Sequence, residues 1–177
     1  MNTPMSLPKP TTTPGPEFGT PMPFAELVKL CQATGLRCQV NEQARFVTFL
    51  IETEEYRSPV GNECVVIKVC ANDNSPLTIW APWVYRLSQA VDRTAFICAL
   101  SEVSFLTNLA HYAYDPGDQQ EVRVSLQLHM IDFKPSARFI GSHVLWLARL
   151  IDARHAPLAN VAAYGARALP EFRASLG

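Results

Sequence analysis

Glu121-Val122-Arg123-Val124-Ser125-Leu126-Gln127-Leu128-His129-Met130 alternates polar and apolar residues without a break. In an extended chain successive side chains point to opposite faces. Val122, Val124, Leu126, Leu128 and Met130 therefore share one side, and Glu121, Arg123, Ser125, Gln127 and His129 the other. The pattern predicts a half-buried strand. Immediately upstream, Tyr114-Asp115-Pro116-Gly117-Asp118 combines a residue that fixes φ, one that tolerates positive φ, and aspartates that bond their own backbone, which predicts a turn. Ala110 to Tyr114 then becomes the partner strand of a hairpin.

Working outward, the hairpin is flanked by helical patterns. Phe96, Leu100, Val103, Leu106 and Leu109 recur at helical spacing, with Ser88 or Asp92 placed to cap the helix. On the other side Pro135-Ser136 opens a helix whose apolar stripe is Phe139, Ile140, Val144, Leu147, Leu150 and Ile151. Pro157 is expected to end or break it, leaving a short Ala-rich helix from about Leu158 to Leu169.

The N-terminal half reads as a helix followed by strands. Phe24, Leu27, Val28, Leu30 and Cys31 predict a helix from about Phe24 to Thr34, closed by Gly35. Leu36 to Val40 and Arg45 to Tyr56 form a second hairpin across Asn41 to Gln43. Phe46 to Ile51 is apolar on both faces, so this strand is central or is covered from outside the domain. Cys64 to Ala71 and Leu77 to Tyr85 follow as further strands joined by short loops, which favours an antiparallel meander. Leu77, Ile79, Ala81, Trp83 and Tyr85 share a face in regular alternation, with Trp80 opposite. Pro82 lacks a donor for the ladder and marks an edge or a bulge.

These elements predict an α+β fold, in which an antiparallel sheet of about five strands is packed by helices in the order α-β-β-β-(β)-α-β-β-α. Residues 1–23 hold seven of the 14 prolines and no apolar period, and read as a disordered Pro-rich arm. Residues 24–169 form the single domain, and 170–177 a short C-terminal tail. A length of 177 residues suffices for one self-supporting core.

Composition narrows the function classes. Apolar residues make up 48% of the chain and charged residues 18%, so the surface is lightly charged and leaves apolar area for a partner. Lys+Arg 15 against Asp+Glu 16 supplies no basic field, which argues against nucleic acid. Five cysteines without a CxxC indicate neither a disulfide framework nor a paired-cysteine zinc site. Cys64 and Cys70 would lie roughly 20 Å apart along one strand, too far to bridge. No basic-then-apolar leader and no apolar run near the ~20 residues of a membrane span is present, so the expectation is a cytoplasmic, reduced protein without membrane association.

The histidines His111, His129, His143 and His155 show no HxxxH or HExxH spacing, so no metal is implied. Glu52, Glu54 and Glu55 read as a solvated strand end. No GxSxG, P-loop or GxGxxG occurs, and no cofactor is implied. A Cys/His-dependent enzyme requires a thiol beside an imidazole, for example Cys98 with His111, whereas the simpler reading of the thiols is buried core. The segment Trp80-Ala81-Pro82-Trp83-Val84-Tyr85 carries two tryptophans of opposite facing, which cannot both enter one core. That leaves an aromatic surface for a partner or for the N-terminal arm.

The element order over roughly Phe24 to Tyr164 resembles the YbjN-like and class I type III secretion chaperone-like superfamily. The local pieces of the resemblance are Phe105-Leu106-Thr107-Asn108-Leu109, the DPGD turn into EVRVSLQL, and Asp152-Ala153-Arg154-His155-Ala156-Pro157-Leu158. It implies a non-enzymatic, often dimeric protein that binds extended polypeptide or partner proteins on sheet and helix surfaces. The nearly balanced charge and the Pro-rich arm depart from that pattern and argue against a secretion role. The resulting expectation is a chaperone-like or regulatory protein- or peptide-binding module, with Trp80, Trp83, Phe49 and Leu145 as contact residues. The alternatives are a homodimerising structural subunit of a larger assembly and a small Cys/His-dependent enzyme.

Overall fold

Val122, Val124 and Leu126 are fully buried and Leu128 partly so, which places the apolar side of the alternating strand on a core. Each such side chain contributes about 1.5–3 kcal/mol by leaving water. The computed structural model describes residues 22–71, 77–115, 120–128 and 134–177. Pro116, Gly117 and Asp118 of the predicted turn, the loop at 72–76, His129, Met130 and most of the Pro-rich arm lie outside the described residues.

The order is α1 (Phe24–Gln32), β1 (Cys38–Asn41), β2 (Phe46–Glu52), β3 (Cys64–Cys70), β4 (Leu77–Arg86), α2 (Arg93–Thr107), β5 (Ala110–Asp115), β6 (Glu121–Leu128), α3 (Ala137–Tyr164) and α4 (Leu169–Ser175). All described strands join one antiparallel sheet, ordered β1-β2-β3-β4-β6-β5. The fold is α+β, and the sheet has six strands where about five are predicted, because Leu77–Arg86 is a full member.

Register divides the sheet into two faces. Val47, Val69, Ile79, Leu126 and Ala110 lie in one row across it and all are buried beneath the helices. The neighbouring row, Gln39, Thr48, Lys68, Trp80, Ser125 and His111, takes one residue from every strand and lies on the helix-free face. There Trp80 meets Phe46 edge-on at 6.2 Å, and Lys68 Nζ sits 4.4 Å from the centre of the Phe46 ring. Half-covered aromatics of this kind shield each other on an otherwise open sheet.

The helix caps follow local chemistry. Asp92 accepts from the Ala95 N–H at 3.0 Å to start α2, and Ser136 accepts from the Phe139 N–H at 3.1 Å to start α3. Asn108 closes α2 in the left-handed region at φ 55°. Phe96, Leu100 and Val103 are buried as the helical period predicts, but Leu106 and Leu109 face outward near the end of the helix.

Three expectations need correction. Pro157 does not break the last long helix: α3, 28 residues in all, continues through it to Tyr164. Proline costs a helix interior about 3 kcal/mol. Ile151 before it and Leu158 and Val161 after it are all fully buried, and at about 1.5–3 kcal/mol each their burial outweighs that cost. The expected tail at 170–177 is largely α4, anchored by buried Phe172. Met22, assigned to the arm, is buried in the core. Among the described residues no helix is long and apolar enough to cross a membrane.

Candidate functional site

Pro82 is where the sheet departs from regularity. Ala81 pairs with Val124 and Tyr85 with Val122, so Pro82, Trp83 and Val84 together face the single residue Arg123. This bulge keeps Ala81 and Tyr85 on the helix side and disturbs only what lies between them. Trp83 there adopts φ 55°, a region that bulky residues rarely occupy.

A buried carboxylate holds the bulge. Glu121, only 3% exposed, accepts the Trp83 N–H on Oε1 at 3.0 Å, and its Oε2 accepts from Arg123 Nη2 at 2.8 Å. The polar end of the alternating strand thus turns inward to satisfy a backbone donor that the ladder has released. A charged acceptor makes that bond stronger than a neutral one would.

The bulge also separates β4 from its other neighbour. Pairing between β3 and β4 covers Cys70↔Thr78, Val69↔Ile79 and Lys68↔Trp80, and goes no further. Beyond it, among the described residues, Cys64 to Ile67 pair with β2 alone. Tyr56, 2% exposed, fills the helix side of this opening, and its hydroxyl donates to the Val84 carbonyl at 3.2 Å. Its ring packs edge-on against Tyr85 at 6.4 Å and His155 at 5.2 Å, and Tyr85 and His155 stack at 5.9 Å.

Tyr56 is kept in place by α3. Asp152 accepts the backbone N–H groups of Tyr56 at 2.7 Å, Glu55 at 2.9 Å and Glu54 at 3.3 Å. Partial burial by itself would raise the Asp152 carboxyl, but these three donors outweigh it and hold the group below the usual aspartate range. One turn on, His155 Nε2 accepts a long bond from the Arg57 N–H at 3.4 Å, and Nδ1 faces the Tyr85 hydroxyl at 3.4 Å. Since Nε2 meets a donor, Nδ1 carries the proton of the neutral ring. Burial, and secondly the Arg57 charge, push the His155 pKa down. Burial likewise raises the Tyr56, Tyr85 and Tyr112 phenols, which stay protonated.

On the helix-free side the opening is a pocket of about 300 Å³. Ser58, Pro59, Val60 and Asn62 form one wall, Cys64 and Val66 of β3 the second, and Pro82, Trp83 and Arg86 of β4 the third, with Tyr56 also contributing to the lining. The Arg86 guanidinium lies 5.5 Å from the centre of the Trp83 ring, and none of the described residues that line the pocket is acidic.

The anticipated contact residues separate here. Trp83 lines the pocket together with outward-facing Val66, so the bulge has turned it to the side of Trp80 and away from the face that regular alternation assigned. Trp80 lies on the same sheet face beside Phe46, outside the pocket lining. Phe49 is fully buried and cannot meet a partner in this fold, because β2 sends Val47 and Phe49 into the core. Leu145 is half-buried on α3 and does not line the pocket. Strand β4 lies inside the sheet between β3 and β6, so of the two readings of Pro82 the bulge holds and the edge does not.

Tyr56, Arg86, Glu121, Asp152 and His155 were not anticipated. Asp152 and His155 stand at i and i+3 on one helix face, which was the available signal. His143 Nδ1–H donates to the Phe139 carbonyl at 2.8 Å and the ring packs on that of Phe139 at 4.1 Å, as a helix-surface residue. Cys98 lies on α2, whereas His111 faces the helix-free side of the sheet. Burial pushes the Cys31 thiol up to about 12 and raises Cys38 and Cys70, the opposite of what a nucleophilic thiol needs.

Two outcomes follow from this geometry. Trp83→Ala retains the positive φ while losing the ring, whereas Trp83→Gly also relieves the backbone. Urea unfolding should therefore find Trp83→Gly more stable than Trp83→Ala by about 1 kcal/mol. Because the folded pKa of His155 is depressed, its contribution to stability is complete above the unfolded value of about 6.5 and is lost as pH falls through the lower folded value. Thermal unfolding between pH 7 and pH 5 should show a decline that is smaller in His155→Gln. Comparison with protein-family models, with curated proteins and with solved structures returned no match to this chain.

Proposed function

We propose that this chain is a non-enzymatic protein- or peptide-binding module, chaperone-like or regulatory in kind. The observation that carries this reading is the pocket at the β3–β4 opening, where apolar walls meet a stretch of β3 that has a strand on one side only. Unladdered strand backbone beside a side-chain pocket is the combination by which an extended peptide is held, backbone for affinity and pocket for selectivity. About 300 Å³ is at the small end of ligand sites and suits one or two side chains better than a large cofactor. The five free thiols favour a reducing compartment such as the cytoplasm.

A second reading, a homodimerising structural subunit, has its own observation. Phe105, 81% exposed, stands with Leu106 and Leu109 at the end of α2, directly before edge strand β5. An exposed aromatic beside a strand that no described strand pairs on its outer side is the arrangement that a second copy covers.

Fluorescence titration with a library of extended apolar peptides tests the first reading. Binding should weaken at least tenfold in Trp83→Ala and less in Trp80→Ala, and equal binding by wild type and Trp83→Ala rejects the site. Sedimentation at micromolar concentration tests the second: a dimer that Phe105→Asp converts to monomer supports it, and a wild-type monomer removes it.

A further inference from the structure

The pocket contains one group that the surrounding network leaves uncommitted. Arg86 has Glu121 as its register neighbour on β6, yet both oxygens of that carboxylate are engaged, one by the Trp83 N–H and the other by Arg123. Among the described residues no carboxylate lies within ion-pair distance of Arg86, and its Nε is buried without a hydrogen-bond partner. The guanidinium instead rests against the Trp83 ring, and that ring is held by a strained backbone. A planar cation fixed by an aromatic and lacking an anion is prepared for a carboxylate, which it can bind through two parallel N–H bonds.

The rest of the pocket specifies what the carboxylate is attached to. Val60, Val66 and Trp83 present apolar surface, and the unladdered backbone of Cys64 to Ile67 runs alongside. Backbone donors and acceptors in that position suit another extended backbone. We infer that the site receives the C-terminal residue of an extended polypeptide, with the terminal carboxylate on Arg86 and an apolar last side chain between Trp83 and Val66. This rests on the peptide-binding reading and adds end recognition to it.

The test uses the full chain and two pools of N-acetylated tetrapeptides built from Ala, Val, Leu and Phe, one with free C-terminal carboxylates and one amidated, together with 4-methylpentanoate as a small apolar acid. Tryptophan fluorescence gives affinities, and the Arg86 Nε–H resonance reports contact with the carboxylate. The free-carboxylate pool should bind at least tenfold more tightly than the amidated pool and shift the Arg86 resonance. Arg86→Gln, with a circular dichroism spectrum and thermal unfolding like those of wild type to show that it is folded, should bind the free-carboxylate pool no more tightly than the amidated pool, and retention of the preference overturns the assignment to Arg86. Equal binding of the two wild-type pools overturns end recognition but leaves peptide binding standing. Binding of 4-methylpentanoate as tight as that of the carboxylate pool overturns the polypeptide assignment in favour of a small-acid site. Failure of both pools to bind overturns the inference and the reading on which it rests.

Discussion

One carboxylate ties the two layers of this protein together. Asp152 reaches from α3 to three successive backbone N–H groups at Glu54, Glu55 and Tyr56, in a loop that would otherwise leave those donors to water. An ionised acceptor bonded to several amides is among the stronger polar contacts a protein makes. Its effect is positional. It sets Tyr56 into the opening between β3 and β4, and Tyr56 in turn bonds Val84 and packs on Tyr85 and His155. Without that plug the opening would run through the sheet toward the helices; with it, the opening is a pocket with a closed back.

The front of the pocket depends on a different compromise. Proline in an interior strand removes a ladder donor, and the chain responds with a bulge that strands the Trp83 N–H as well. Glu121 satisfies that donor from the neighbouring strand, and Arg123 balances the buried charge. This division of partners matters electrostatically. The acidic and basic groups nearest the bulge neutralise each other, and the remaining cation, Arg86, faces the pocket.

Most of the architecture was legible because it rests on periodicity. The alternation of Val122, Val124 and Leu126, the stripe of Ile140, Val144, Leu147 and Ile151, and the caps at Asp92 and Ser136 each follow from spacing and local chemistry alone. Pro157 was misleading because its cost is local while the burial that outweighs it is tertiary. Trp83 failed for a related reason: alternation assigns a face only while the register is regular, and the bulge consumes two extra residues. The site was largely illegible since its determinants are long-range. Asp152 and Tyr56 are 96 residues apart, and Trp83 and Glu121 are 38 apart. No window short enough to show a period contains either pair.

That separation also governs when the pocket comes into being during synthesis. Its lining is complete once β4 has emerged, but the residue that fixes Tyr56 belongs to α3, about one hundred residues after the loop it grips. A nascent chain lacking α3 holds every lining residue and no clamp. The pocket therefore gains its closed back only after α3 has been made.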